Sequence, residues 1–237
     1  MIFSANHQLI FVKPQKCAST SIEMFLESAI WPDRSVSHST ACTIMPCGGV
    51  IGYRGDKRLI NPRFYNHMSL SDIKKKLGAE YEDATKISVI RDPVEKAVSL
   101  YFHVYKSRNG RSESAITQAA RRLRGARPMP NFFSQNHEEN IMEWLGRGGG
   151  VDDRDKFFER DKSDIAIDYF IRFPHLDDDL CEVCKRFDLN PKMQLPHVKK
   201  YSNLTASITA EIYKDANMIM CKAMQMEMEI YSNEMHR

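Results

Sequence analysis

Residues 9–29 read LIFVKPQKCASTSIEMFLESA. Leu9–Val12 is an apolar run that meets Pro14 almost at once, the pattern of a short buried strand entering a turn. Behind the turn, Ile22, Phe25, Leu26 and Ala29 fall at i, i+3, i+4 and i+7, one apolar helical stripe. Thr20 and Glu23 have capping-box spacing and predict a helix start near Thr20. Strand, tight connection and helix in this order open an α/β fold.

The same unit recurs. Lys86–Ile90 (KISVI) predicts a strand that runs straight into Arg91-Asp92-Pro93. Asp92 as cap and Pro93 at the first helical position start a helix striped by Val94, Ala97, Val98, Tyr101, Phe102 and Tyr105. Asp168–Phe173 predicts a third strand, and Leu176, Leu180, Val183 and Phe187 stripe the helix after it. Ser69–Leu77 reads as a short helix capped by Ser69 or Ser71 and stopped by Gly78. Residues 31–66 read as loop or short strands. The basic stretch 106–135 reads as a helix plus a Pro-containing loop, and Glu138–Leu145 as a helix stopped by Gly146. Gly148–Gly150 and the charges after them read as a mobile loop. A Met-rich helix from about Thr209 to Ile230 ends the chain, with Met218, Met220, Met224, Met226 and Met228 as core and gap-filling residues. Recurring strand–helix units predict a central parallel β-sheet flanked by helices.

The 237 residues are 42% hydrophobic and 27% charged, ordinary globular composition. No Pro/Gly/Ser-rich linker divides them, which predicts a single domain over 1–237. Net charge is +3, short of the strongly basic profile of a nucleic-acid binder. Six cysteines in a chain this long do not make a disulfide scaffold. No apolar run is long enough to span a bilayer, and MIFSANHQLIFVKPQK lacks a signal peptide's charged start and long apolar region. A reduced, cytoplasmic protein is expected. The sequence leaves oligomeric state open.

In α/β sheets, ligands sit at the carboxyl ends of strands where helices begin. That rule selects two junctions. At the first, Lys13–Ser21, a helix N-terminus offers backbone N–H groups and partial positive charge to an anion. Ala18 and Ser19 are small, Ser19, Thr20 and Ser21 carry hydroxyls, and Lys16 adds an ammonium. The segment contains no glycine, so it is not a Walker A loop, and an ordinary Ser/Thr cap cluster explains it equally well. At the second, Arg91 ends a strand and Ser99 sits off the apolar stripe of the following helix, so it need not be buried in the core. Arg91 offers a fork of donors and Ser99 a hydroxyl; pairing of Arg91 with Asp92 or Glu95 is the structural alternative.

Together the junctions carry a resemblance. Lys16-x-Ala18-Ser19-Thr20-Ser21 resembles the 5′-phosphosulfate loop of sulfotransferases that use 3′-phosphoadenosine 5′-phosphosulfate (PAPS). Arg91-Asp92-Pro93-x-x-x-x-x-Ser99-x-Tyr101 is similar to their 3′-phosphate motif. The carbohydrate-type branch, which includes the heparan sulfate 2-O-sulfotransferases and bacterial relatives, looks nearest; DYFIRFPHLDDDL and LPHVKKYSN resemble its C-terminal strand–helix and adenine-side loop. Lys96 stands where the family commonly has Arg, and Pro174 where it often has Glu. Residues 31–60 and 106–160 carry no resemblance.

The resemblance implies a P-loop-like three-layer fold and in-line sulfuryl transfer to a hydroxyl, or an amine, of a carbohydrate or small-molecule acceptor. It gives Lys16 the charge on the leaving 5′-phosphate oxygen. Lys16, Cys17, Ala18, Ser19, Thr20 and Ser21 would hold the 5′-phosphate, through backbone N–H groups and hydroxyls. Arg91 and Ser99 would hold the 3′-phosphate, with Lys199 and Lys200 as further contacts. No metal is implied, and Cys181-x-x-Cys184 is half a zinc site at best. The general base is assigned to His67, in Tyr65-Asn66-His67-Met68-Ser69, with His38 in reserve. The Arg121–Arg127 run reads as a solvated helix face. A P-loop-type small-molecule kinase and a non-catalytic nucleotide-binding module are the rival readings; the missing glycines count against the kinase.

Overall fold

The computed structural model describes residues 1–37, 42–45, 48–54, 63–112, 114–123, 126–160, 162–196, 209, 211–213, 215, 220 and 222–236. The chain divides into two compact units, residues 1–90 with 153–199 and residues 91–152 with 200–237. Each unit draws on separated stretches of sequence, which is why no linker composition marks a boundary.

The first unit holds a six-stranded sheet in the order β3-β4-β1-β2-β5-β6. Its strands are β1 Ile2–Ser4, β2 Leu9–Phe11, β3 Thr43–Ile44, β4 Val50–Ile51, β5 Thr85–Ile90 and β6 Tyr169–Arg172. Only the β2–β5–β6 half is parallel; β1 pairs antiparallel with β2 and β4, and β3 with β4. The expected parallel sheet is therefore corrected to a mixed one. The cause is local. Ala5–Gln8 is too short for a parallel crossover and can only close a hairpin, with Gln8 in the left-handed region at φ 46° and its N–H on the Ala5 carbonyl at 3.1 Å.

Alternate residues of each strand face opposite layers. Leu9, Phe11, Ile87, Val89 and Ile171 pack with Ile22, Phe25 and Leu26 of α1 (Ser19–Ile30) and with Leu180 and Val183 of α8 (Leu176–Arg186). On the other layer, Phe170 meets Phe157 of α7 (Arg154–Phe157) edge to face, with ring centroids 5.3 Å apart. Next to α7 lies α2 (Leu70–Leu77). The Ser69 hydroxyl caps α2 by accepting from the Asp72 N–H at 3.1 Å, and Gly78 at φ 62° ends it. A short helix, α3 (Ala79–Asp83), then leads into β5.

The second unit is helical in its described residues: α4 Pro93–Ser107, α5 Ala115–Leu123, α6 His137–Gly146 and α9 Lys222–Met235. Asp92 caps α4 by accepting from Val94 N–H and Glu95 N–H at 2.8 and 3.0 Å. Val94, Ala97, Val98 and Tyr101 of α4 pack with Ile141, Trp144 and Leu145 of α6 and with Met220 and Met224. In the Met-rich C-terminal segment, residues 209, 211–213 and 215 are helical, as the pattern predicts, α9 runs past the expected end at Ile230 to Met235, and Met218 lies outside the described residues.

The expected mobile loop is packed. Gly149 donates to the Trp144 carbonyl at 2.9 Å, and a Cβ there would collide with Trp144. Asp153 and Lys156, read as loop charges, are buried at 1% and 4% exposure.

Candidate functional site

The site is built on the connection from β2 to α1. Val12 N–H bonds the Ile87 carbonyl at 2.9 Å and Ser88 Oγ donates to the Val12 carbonyl at 3.1 Å, so the exit of β2 is pinned to β5. The connection then closes on itself. Ser19 Oγ donates to the Pro14 carbonyl at 2.7 Å, and the Cys17 thiol to the Gln15 carbonyl at 3.1 Å. Lys16 and Ala18 both sit in the left-handed region, at φ 61° and 53°. Non-glycine residues held there are strained, and such strain concentrates at functional sites. Left-handed residues alternating with ordinary ones turn successive N–H groups toward one concavity, the geometry of an anion nest.

The capping box does not form. Ala18 is the N-cap of α1 and makes no side-chain cap hydrogen bond, so an anion at this end of α1 would meet first-turn N–H groups, of which that of Ser21 already bonds the Ala18 carbonyl at 2.8 Å. The Ser19 hydroxyl is spent on Pro14 as a donor, so what Ser19 offers an anion is its N–H. Cys17 is fully buried in the core and contributes backbone alone. Thr20 is half-buried and Ser21 buried.

Glu23 has a different role. Fully buried, it accepts from Lys13 Nζ at 2.8 Å, Arg54 Nε at 2.8 Å and the Met1 amino group at 3.0 Å. Arg54 also reaches Glu27, which pairs with Arg34 at 3.0 Å. Burial alone would raise the Glu23 pKa, but the Met1 ammonium, Lys13 and Arg54 outweigh it and bring it from 4.5 down to about 2. This hub fixes Lys13, the first residue of the loop.

His67, from the segment before α2, packs against the same loop. Its backbone is left-handed, φ 51°, and its Nδ1 lies 3.0 Å from the Lys13 carbonyl. A carbonyl oxygen only accepts, so Nδ1 carries the proton and Nε2 keeps its lone pair. Burial, then the Lys13 charge, pushes His67 from 6.5 down to about 4, against the Lys13 carbonyl bond and Asp153. His67 is neutral at pH 7 with Nε2 fixed as the basic atom. Two neighbours escaped the sequence reading. Asp153 accepts from Gln15 N–H at 3.0 Å, and nothing in VDDRD distinguishes it from Asp152. Asn66 donates to the Arg54 carbonyl at 3.3 Å, while its buried Oδ1 has no partner among the described residues.

The second junction belongs to the second unit. Arg91 is buried to 9% exposure, and its Nε donates to Glu95 at 2.9 Å, so the expected structural pairing is present. Ser99 departs from expectation. The wheel places it off the apolar stripe with no need for burial, yet it is fully buried, as is its off-stripe neighbour Lys96, paired with Glu227. The Ser99 hydroxyl has no hydrogen-bond partner among the described residues. Such a group bears an unrecovered desolvation penalty unless something binds it.

His38, Lys199 and Lys200 lie outside the described residues. Cys181 is exposed and Cys184 half-buried, both free thiols, and no group of three metal-binding side chains occurs among the described residues. No described helix is long and apolar enough to cross a membrane. No family model, curated protein or solved structure matches this chain.

Proposed function

We propose that this chain is a PAPS-dependent sulfotransferase on a P-loop-like scaffold, acting in the cytoplasm on a hydroxyl or amine of a carbohydrate or small molecule. The observation that carries the reading is the β2–α1 loop. It has two left-handed residues over a helix start without a side-chain cap, and a neutral histidine is fixed against it. Within the second unit, the buried Ser99 hydroxyl, without a hydrogen-bond partner among the described residues, is the candidate for the 3′-phosphate contact that the sequence resemblance implies.

The residues divide the work. The loop N–H groups and the Thr20 and Ser21 hydroxyls hold the 5′-phosphate, and Arg91 and Ser99 hold the 3′-phosphate. The bound nucleotide supplies the sulfuryl group and departs as adenosine 3′,5′-bisphosphate. His67 Nε2 takes the acceptor's proton as the new bond to sulfur forms. The Lys16 ammonium opposes the negative charge gathering on the phosphate oxygen whose bond to sulfur breaks.

Adenosine 3′,5′-bisphosphate is expected to raise the thermal midpoint markedly, and ATP with Mg²⁺ to leave it nearly unchanged. Ser99→Ala is expected to keep the ligand-free midpoint, because the lost hydroxyl has no partner among the described residues, while weakening the bisphosphate about tenfold. The opposite ligand preference would support the kinase reading.

A second expected result concerns acid. The acid limb of kcat/KM reports the base in free enzyme and is expected near pH 4 rather than 6.5. A limb centred at 6.5 or above would remove His67 from the role. The folded His67 resists protonation that the unfolded chain accepts. Its contribution to stability is therefore full above about pH 6.5 and is lost as pH falls toward 4. His67→Gln is expected to lose turnover, retain nucleotide binding and abolish this decline in stability.

A further inference from the structure

We propose that α5 and the loop behind it form a peripheral docking surface for an anionic phospholipid bilayer. The helix is mounted inside out. Ile116, Ala119 and Leu123 form one stripe at i, i+3 and i+7, the face a globular protein normally buries. Here Ile116 is 84% exposed and Leu123 89%. The opposite face carries Gln118, half-buried, whose amide donates to Asn131 Oδ1 at 2.8 Å. That bond holds the polar side against the loop 126–135 and leaves the apolar side in solvent. The same loop presents Phe133, 62% exposed. Three large apolar side chains from one helix and its following loop are thus exposed, which is uncommon in a monomeric surface unless something covers it.

Charge selects the occupant. Residues 106–127 contain seven Lys or Arg against a single acid, Glu113, whereas the whole chain carries +3; of the seven, Arg127 is paired with Asp152 at 2.8 Å. The basic excess is therefore local to the segment that exposes the apolar stripe. A polyanion such as a nucleic acid would use the charge and gain nothing from Ile116 and Leu123. A second copy of this chain would use the apolar stripe and meet the same positive charge. An anionic bilayer surface uses both, since an apolar helix face sinks to the headgroup boundary while basic residues meet anionic headgroups. The apolar stripe is too short to span and suited to lying in the interface.

The test is co-sedimentation of the full chain with vesicles of phosphatidylcholine alone, or with roughly a quarter phosphatidylserine. The anionic vesicles are expected to bind, the neutral ones to bind about tenfold less or more weakly still, and added salt to release the protein. Ile116→Ser with Leu123→Ser changes no charge and touches exposed positions. It is expected to keep the thermal midpoint and lower vesicle affinity about tenfold. If that pair lowers the midpoint, Phe133→Ser is read instead, with a smaller loss expected. Failure to bind anionic vesicles, equal binding to both compositions, or unchanged binding in the serine variants overturns the proposal. So does binding of a duplex oligonucleotide without vesicles, or self-association through α5 without vesicle binding.

Discussion

Lys16→Ala is expected to lower kcat by about a hundredfold to a thousandfold, the loss seen when one preorganised donor to a developing oxyanion is removed. Bisphosphate affinity should fall much less, because in the proposed reading loop N–H groups and Arg91 hold the ground-state charge. Lys16 stands at φ 61° on the segment closed by Ser19 Oγ and the Pro14 carbonyl. Alanine there keeps the same left-handed strain, so the folded state changes little, and the thermal midpoint should stay within a few degrees. Lys16→Arg keeps charge but carries it on a longer, planar group that cannot occupy the same point, and should recover only part of the rate. If Lys16→Ala turns over normally while adenosine 3′,5′-bisphosphate still binds, the chain binds nucleotide and Lys16 does no chemistry.

What the sequence disclosed was local. Asp92-Pro93 and Ser69 announce helix starts because the cap bonds only residues two or three further on. The strands at 9–11, 85–90 and 169–172 are legible as apolar runs at the entry to helices. The antiparallel half of the sheet is not, because β1, β3 and β4 are two or three residues each, too short for a periodicity. Burial of polar groups is the larger blind spot. Thr20 and Glu23 have the spacing of a capping box, and spacing cannot reveal that Arg54, thirty-one residues on, claims the carboxylate instead. Ser99 lies off the apolar stripe of α4 and is buried all the same, since a wheel assumes one wet face and α4 also buries Lys96. For α5 the stripe is legible, but which face turns inward is decided by Gln118 and Asn131. His67 is placed by a contact with Lys13 far away in sequence, and only the surrounding structure selects its tautomer.

Glu23 is where the fold and the candidate site depend on one side chain. Glu23→Gln is expected to destabilise the protein by about 3–5 kcal/mol, the range for breaking a buried ion pair from one side. Lys13 would be left buried against a neutral amide, while Arg54 keeps Glu27. At about 2–4 °C per kcal/mol for a chain of this size, the midpoint should drop by roughly 6–20 °C. Lys13→Met should be milder, because Glu23 keeps Arg54 and the Met1 amino group. The pH dependence gives an independent check. The folded carboxyl titrates near 2 and the ordinary one near 4.5, so between those values the unfolded chain binds more protons. Stability from Glu23 is therefore full above about pH 4.5 and is lost as pH falls toward 2. Asp179 and Glu159 are also lowered, burial opposing and their Arg172 or lysine partners prevailing, so they too favour the folded chain above their ordinary values and lose that contribution in acid. Glu23→Gln should thus show a shallower acid decline than the wild type, from a lower starting midpoint. Because the hub fixes Lys13, whose carbonyl holds His67, the variant should also lose turnover at temperatures where it remains folded. Equal midpoints for Glu23→Gln and wild type would mean that the buried charges find other partners, and the hub would not organise the loop.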